Sequence, residues 1–82
     1  MEINMQRKFN MYITEEKLTN AFSFLDNLRE SGVTNMFGSP AYLQSELNYD
    51  RNTAFKIAGD WMETFDGRST PAERAVIVLN KV

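Results

Sequence analysis

The stretch from Ser39 to Phe65 places the strongest constraint on how this 82-residue chain can fold. Ser39 is a favourable N-cap, and Pro40 after it occupies the first helical position, where proline costs no hydrogen bond. Asn48 suits the left-handed conformation that ends many helices, and Asp50 suits the cap of the next helix. The stretch therefore predicts two helices that are joined by a turn of only three residues.

The second of these helices carries the clearest periodic pattern in the chain. Its apolar residues recur at intervals of three and four, which places them on one helical face. Because the turn is short, the helices 39–47 and 51–65 are expected to cross and share one core. Gly59 lies inside the second helix and is interpreted as a point of close approach by another helix or a partner, and Gly67 as the stop. The apolar stripe consists of Ala54, Ile57, Ala58, Trp61, Met62 and Phe65.

A further helix is predicted before this pair. Thr14 is its N-cap, residues 14–31 form it, and Gly32 ends it. Asp26 falls on the outer face, which is interpreted as a solvated acidic face. The apolar loop 33–38 is expected to tuck its side chains under the helices, and a loop that binds a partner or ligand is the alternative. The inward stripe consists of Leu18, Ala21, Phe22, Leu25 and Leu28.

The two ends of the chain are read differently. Thr70 and Glu73 have the spacing of a capping box, which predicts a last helix over 71–80. The β-branched residues within 74–79 would also suit a strand, so that alternative stays open.

Residues 1–13 lack a helical period, and a short strand or a mobile arm are the two interpretations. The expected fold is mainly α: one small domain, residues 14–82, of three to four helices.

The composition limits the chemistry that this chain can perform. It contains no cysteine and no histidine. This excludes disulfides, thiol nucleophiles, Cys/His zinc sites and histidine acid–base catalysis. No apolar run approaches the roughly 20 residues that span a bilayer. We therefore expect a soluble cytoplasmic protein without membrane contact, with neither a cofactor nor a metal, that is not an enzyme.

The paired helices resemble the helix-turn-helix module of DNA-binding proteins. The matching positions are Leu43 and Leu47 in the first helix, Tyr49 in the turn, and Ala54 and Ile57 in the second helix. The run YLQSELNYDRNTA is also similar to the winged-helix domain of DNA translocases. The resemblance implies that the helix 51–65 reads the major groove. The implied DNA-contacting residues are Arg51, Asn52, Thr53 and Lys56.

Several features depart from that resemblance. Asn48 stands where the module usually has glycine, and Gln44 stands where a small residue normally lets the helices touch. No wing hairpin is recognisable after Gly67. Residues 39–66 contain five acidic and two basic side chains, so the implied DNA-reading segment is acidic. DNA affinity comes largely from neutralised phosphates, and the charge therefore counts against DNA binding.

A second resemblance covers more of the chain. The run LRESGVTNMFG, followed by PAYLQSEL and WMETF, is similar to small uncharacterised bacteriophage proteins. The resemblance implies a viral origin and a location in the host cytoplasm. It does not indicate which activity the protein has.

Two functional hypotheses follow. The first is a small helical protein–protein interaction module that binds another protein, or a second copy of itself, through exposed apolar residues. Phe24 lies off the stripe of its helix, Met36 lies in the apolar loop, and Phe55 lies beside the stripe of the helix 51–65. These three are the candidate interface residues. The alternative is a helix-turn-helix protein that binds DNA through the residues named above.

Overall fold

The computed structural model describes residues 12–80, which form four α-helices. The predicted mainly α fold is confirmed, and all four helices are found with each end within one residue of its predicted position. The described part of the chain contains no strand, and the predicted N-terminal arm or strand falls mostly on residues 1–11, outside it. The helices are α1 (Glu15–Ser31), α2 (Ser39–Leu47), α3 (Arg51–Thr64) and α4 (Pro71–Leu79).

The predicted signals at both ends of α1 are confirmed. The side chain of Thr14 accepts a hydrogen bond from the backbone N–H of Lys17 at 3.2 Å. Gly32 follows the helix in the left-handed conformation with φ of 74°, a region that glycine enters without steric cost. The loop after it differs from the prediction: Val33 and Phe37 are exposed, and only Met36 is partly buried against the core.

α2 has the predicted bounds, but its N-cap differs from the prediction. Gly38 occupies the N-cap position, because a 3-10 turn, Met36–Gly38, runs directly into the helix. Asn35 caps that turn, its Oδ1 accepting from the backbone N–H of Gly38 at 3.0 Å. Ser39 is buried, and its hydroxyl donates to the backbone oxygen of Met36 at 2.7 Å. The α-helix therefore begins at Ser39, one residue earlier than a serine cap would allow, directly after the 3-10 turn.

The connection between α2 and α3 follows the predicted chemistry. Asn48 adopts the left-handed conformation with φ of 62°. Asp50 caps α3, its Oδ1 accepting from the backbone N–H of Thr53 at 2.7 Å, and this bond lowers the pKa of the Asp50 carboxyl. The other end is not stopped by Gly67: the helix ends at Thr64, and Phe65 is already extended.

The capping box of α4 is complete, which decides between helix and strand for residues 74–79. Thr70 Oγ1 accepts from the backbone N–H of Glu73 at 3.1 Å, and Glu73 Oε1 accepts from the backbone N–H of Thr70 at 2.8 Å. The carboxylate of Asp66 orders the loop before α4 by accepting hydrogen bonds from Arg68 and Ser69. These bonds hold the pKa of the Asp66 carboxyl far below the ordinary range.

The core lies where the apolar faces of the four helices meet. α1 packs most extensively against α4 and α2 against α3, while α3 also contacts α1 and α4. Each predicted stripe contributes to it, and Trp61 is buried, as its position on the stripe predicts. The buried apolar residues are Ile13, Leu18, Ala21, Phe22, Leu25, Leu43, Ala54, Ile57, Ala58, Trp61, Ala75, Val78 and Leu79.

The interpretation of Gly59 as a point of close approach by another helix is wrong, and close approach by a partner stays a prediction. A Cβ atom added there would have no neighbour within 4 Å, and the residue is exposed. Glycine inside a helix costs about 0.5–1 kcal/mol relative to alanine. We expect Gly59→Ala to raise the free energy of unfolding by that amount, measured by urea denaturation. Gly32→Ala is the opposing control, because its positive φ penalises a side chain. A destabilised Gly59→Ala variant would contradict the packing described for α3.

Candidate functional site

A buried arginine joins three of the four helices. Arg74 of α4 is only 1% exposed. Its Nη2 donates to the backbone oxygen of Trp61 at 2.6 Å, and its Nε donates to Thr64 Oγ1 at 3.3 Å. Its Nη1 donates to Asp26 Oδ1 of α1 at 3.0 Å. All three nitrogens of the guanidinium thus bond oxygens of the protein.

The carboxylate of Asp26 completes this network. Asp26 Oδ1 also accepts from the indole Nε1 of Trp61 at 2.8 Å. The expected solvated position of Asp26 is therefore wrong, since its side chain is only 30% exposed and has two protein donors. The guanidinium of Arg74 lies 5.1 Å from the ring centroids of Phe22 and Phe65, within cation–π range. These groups are engaged with one another and join α1, α3 and α4.

An apolar groove runs along the surface between α1 and α2. We define the α1–α2 groove by Phe24, Leu28, Val33 and Tyr42. Val33 is 60% exposed, and Phe24 and Tyr42 are partly exposed. Glu46 is the one charged side chain among the residues that line it. The groove is therefore mainly apolar, with one carboxylate in its lining.

A separate cavity adjoins the groove through Leu28, which lines both. Its volume is about 190 Å³, and Leu25, Met36 and Trp61 form its apolar walls. The polar side chains among its lining residues include Asn35 and Ser39, which are already bonded inside the chain as described above. We call this space the Trp61 cavity.

Two of the three predicted interface residues line separate spaces that share Leu28. Phe24 lines the α1–α2 groove and Met36 lines the Trp61 cavity, so both lie around Leu28. Both are partly buried against the core. Phe55 is half-exposed on α3 and lines neither space, and the guanidinium of Arg51 lies 5.0 Å from its ring centroid. Val33, Leu28 and Tyr42 were not among the predicted interface residues, although the apolar loop and the off-stripe Phe24 pointed to this region.

The predicted DNA-contacting residues lie on α3 with mixed surroundings. Arg51 and Asn52 are exposed in its first turn, and Thr53 is half-buried. Lys56 is exposed but its Nζ lies 3.7 Å from Asp60 Oδ2, so part of its charge is neutralised within the helix.

Tyr12 connects the segment before α1 to that ion pair. Its hydroxyl donates to Asp60 Oδ2 at 2.9 Å, and the ammonium of Lys56 lies 4.8 Å from its ring centroid. Burial, followed by the bond to Asp60, raises the pKa of Tyr12 well above its ordinary range. Lys56 is therefore held on the protein surface by two partners and is less available to a phosphate than the sequence suggests.

The chain matches no protein-family model, no curated protein and no solved structure. The resemblances to helix-turn-helix and bacteriophage proteins therefore stay predictions. Within residues 12–80, no helix is both long and apolar enough to cross a bilayer, and no group of three or more acidic, histidine or cysteine side chains could hold a metal ion.

Proposed function

We propose that this protein is a protein–protein interaction module that binds through the α1–α2 groove. The observation that carries the proposal is the mainly apolar surface formed by Phe24 and Leu28 of α1, Tyr42 of α2 and Val33 of the loop between them. Its aromatic members are the residue types that contribute most of the free energy at interfaces. A rigid helical pair with an apolar groove can bind a helix or an extended segment of another chain.

The surroundings of the groove support the same interpretation. Exposed apolar side chains that are scattered singly need no explanation, whereas adjoining ones indicate an interaction surface. Here Val33 lies beside partly exposed aromatic rings, and the Trp61 cavity adjoins the same surface through Leu28. Burial of apolar area contributes about 25 cal/mol per Å², and part of this gain offsets the translational and rotational freedom that two proteins lose on association.

The proposal is tested by affinity capture from the cells that produce the protein, with a tagged chain as bait. We expect a bound chain, identified by mass spectrometry, to be lost when Val33→Asp places a charge in the groove. Val33 is exposed, so this change leaves the fold intact, as circular dichroism will verify. Val76→Asp is the matched control, because Val76 is exposed on α4 and lines no part of the groove. A partner retained by Val33→Asp and lost by Val76→Asp would refute the assignment of the groove.

DNA binding is the second proposal, supported by the exposure of Arg51 and Asn52 in the first turn of α3. Recognition helices contact bases with their N-terminal residues. If DNA is the partner, affinity should fall steeply with salt and drop further in the Arg51→Ala/Lys56→Ala double variant. Affinity that is insensitive to both changes would remove this alternative, and Val33→Asp separates the two proposals because it lies outside α3.

A further inference from the structure

A row of four residues runs along the outer side of α3. Its members follow one another at intervals of four, and all four are exposed. Residues at that interval form one continuous ridge on a helix. The opposite side of α3 carries its buried residues and faces the core. We define the α3 row by Arg51, Phe55, Gly59 and Glu63.

The two central members of the α3 row present a projection next to a bare stretch of backbone. Phe55 is 50% exposed, and the guanidinium of Arg51 lies 5.0 Å from its ring centroid. Gly59 follows one turn later, and a Cβ atom added there would have no neighbour within 4 Å. Glycine weakens a helix interior, and the absence of a side chain lets another backbone or ring approach closely. Within residues 12–80 no group makes that approach, so Gly59 is accessible to a partner.

The two ends of the α3 row carry opposite charges. Arg51 lies in the first turn of the helix and Glu63 in its last turn. They are 12 residues apart, which is about 18 Å along the axis, so they do not pair with each other within one chain. Lys56 and Asp60, which flank the row, lie 3.7 Å apart and pair with each other. The row therefore has a basic end, a ring, a residue without a side chain and an acidic end, in that order.

The surface that complements this row is the same row read in the opposite direction. Phe55 and Gly59 lie two residues on either side of Ile57. Arg51 and Glu63 lie six residues on either side of the same position. A two-fold axis at the level of Ile57 therefore brings both pairs into opposition at once, the ring over the glycine and the guanidinium near the carboxylate. Two-fold dimers require this kind of self-complementary patch.

We propose that two copies of this chain pair through α3 in antiparallel orientation, with Phe55 of each copy over Gly59 of the other. Arg51 of each copy then lies near Glu63 of the other. No member of the α3 row lines the α1–α2 groove, so this inference goes beyond the proposed function and leaves the groove open to another protein. One helix per copy makes a small interface, and the dissociation constant should lie between about 10 µM and 1 mM.

Analytical ultracentrifugation up to a protein concentration of about 1 mM tests the proposal. We expect a monomer–dimer equilibrium whose dissociation constant rises at least about 10-fold in Phe55→Ser, since two rings per dimer lose their burial. Ile77→Ser is the matched control, because Ile77 lies on α4 and is 51% exposed. It should leave the equilibrium unchanged, and so should Val33→Asp in the groove. Circular dichroism will verify that each variant is folded.

Gly59→Gln separates an interface role from a structural one. Glutamine is a better helix former than glycine, so the variant should resist urea more than the native chain at concentrations where both are monomers. The same side chain occupies the place of the ring from the second copy, and the dissociation constant should rise at least about 10-fold. A dimer that forms equally well in Gly59→Gln would overturn the inference.

A charge exchange tests the antiparallel register. Arg51→Glu and Glu63→Arg each place like charges opposite one another, and each should raise the dissociation constant about 5-fold. The double variant Arg51→Glu/Glu63→Arg should restore the native value. A chain that is monomeric up to about 1 mM, a dimer that persists in Phe55→Ser, or a double variant as weak as the single ones would overturn the inference. The capture experiment with Val33→Asp is independent of these results, so the proposed function and this inference can fail separately.

Discussion

Arg74→Met should lower the free energy of unfolding by about 3 kcal/mol. This is the largest loss that we expect from a substitution that keeps the side-chain volume similar. The change removes the guanidinium that bonds Asp26, Thr64 and the backbone of Trp61. A charged or polar group left without its buried partner costs more than the bond itself contributes. For a domain of this size the loss should lower Tm by more than about 12 °C, measured by calorimetry or thermal circular dichroism.

Three control variants separate charge from geometry. Arg74→Lys keeps the charge but presents one nitrogen instead of a planar fork, so it cannot reproduce the three bonds and should also destabilise. Asp26→Asn keeps an acceptor for Trp61 Nε1 but leaves the charge of the buried Arg74 without its counter-ion, so it should also cost about 3 kcal/mol. The double variant Asp26→Asn/Arg74→Met should cost less than the sum of the single changes, because both lose the same ion pair. Additive costs, or a loss below about 1 kcal/mol for Arg74→Met, would show that the network contributes little.

Trp61→Ala should lower the free energy of unfolding by about 3–5 kcal/mol. The indole is 1% exposed, contacts the ring of Phe65 at a centroid separation of 5.5 Å, and donates to Asp26. Its removal leaves a large void between α1 and α3 and takes one donor from the carboxylate. Because the change removes the only tryptophan, unfolding should be followed in urea by far-UV circular dichroism.

Trp61→Phe distinguishes the packing from the hydrogen bond. It retains an aromatic ring and loses only the indole N–H and part of the volume, so the expected cost is about 1–2 kcal/mol. Equal losses for Trp61→Ala and Trp61→Phe would assign the whole effect to the bond with Asp26. A much smaller loss for Trp61→Phe would assign it to the filled volume.

The helices could be predicted from the sequence because their signals are local. Thr14, Asp50 and Thr70 each cap a helix within three residues of chain, and each apolar stripe follows the helical period. The N-cap of α2 was misjudged for the same reason. Ser39 before Pro40 looks like a cap, whereas Asn35 caps a 3-10 turn that runs into the helix and places Gly38 at the N-cap position. Asn35 and Ser39 are both suitable capping residues, and the one that comes first in the chain, Asn35, determines how the helix begins.

The Arg74 network could not be predicted from local signals, because its members lie far apart in the sequence. Arg74 is 48 residues from Asp26 and 13 residues from Trp61, whose backbone oxygen it bonds. The sequence did contain one indication of the ion pair between Arg74 and Asp26. Arg74 precedes Val78 by four positions and therefore lies on the apolar face of α4. Asp26 follows Phe22 by four positions on α1. Opposite charges that each interrupt an apolar stripe indicate a buried ion pair, but only once the two helices are known to touch.

The candidate interface was predictable in part. Phe24 and Met36 stood out because neither lies on the stripe of a helix, and the structure places both around Leu28. The exposure of Phe37 was not predictable, since an apolar loop of this kind more often packs inward. It depends on how the 3-10 turn orients consecutive side chains.

The close packing of α1 against α4 has a consequence for biosynthesis. α1 is synthesised first of the four helices, and α4, against which it packs most extensively, is synthesised last. The apolar face of α1 therefore stays uncovered until α4 has been made. Contacts of such sequence separation slow folding and leave hydrophobic surface unprotected during translation. The nascent chain should therefore acquire protease resistance only after α4 has left the ribosome, in one late step.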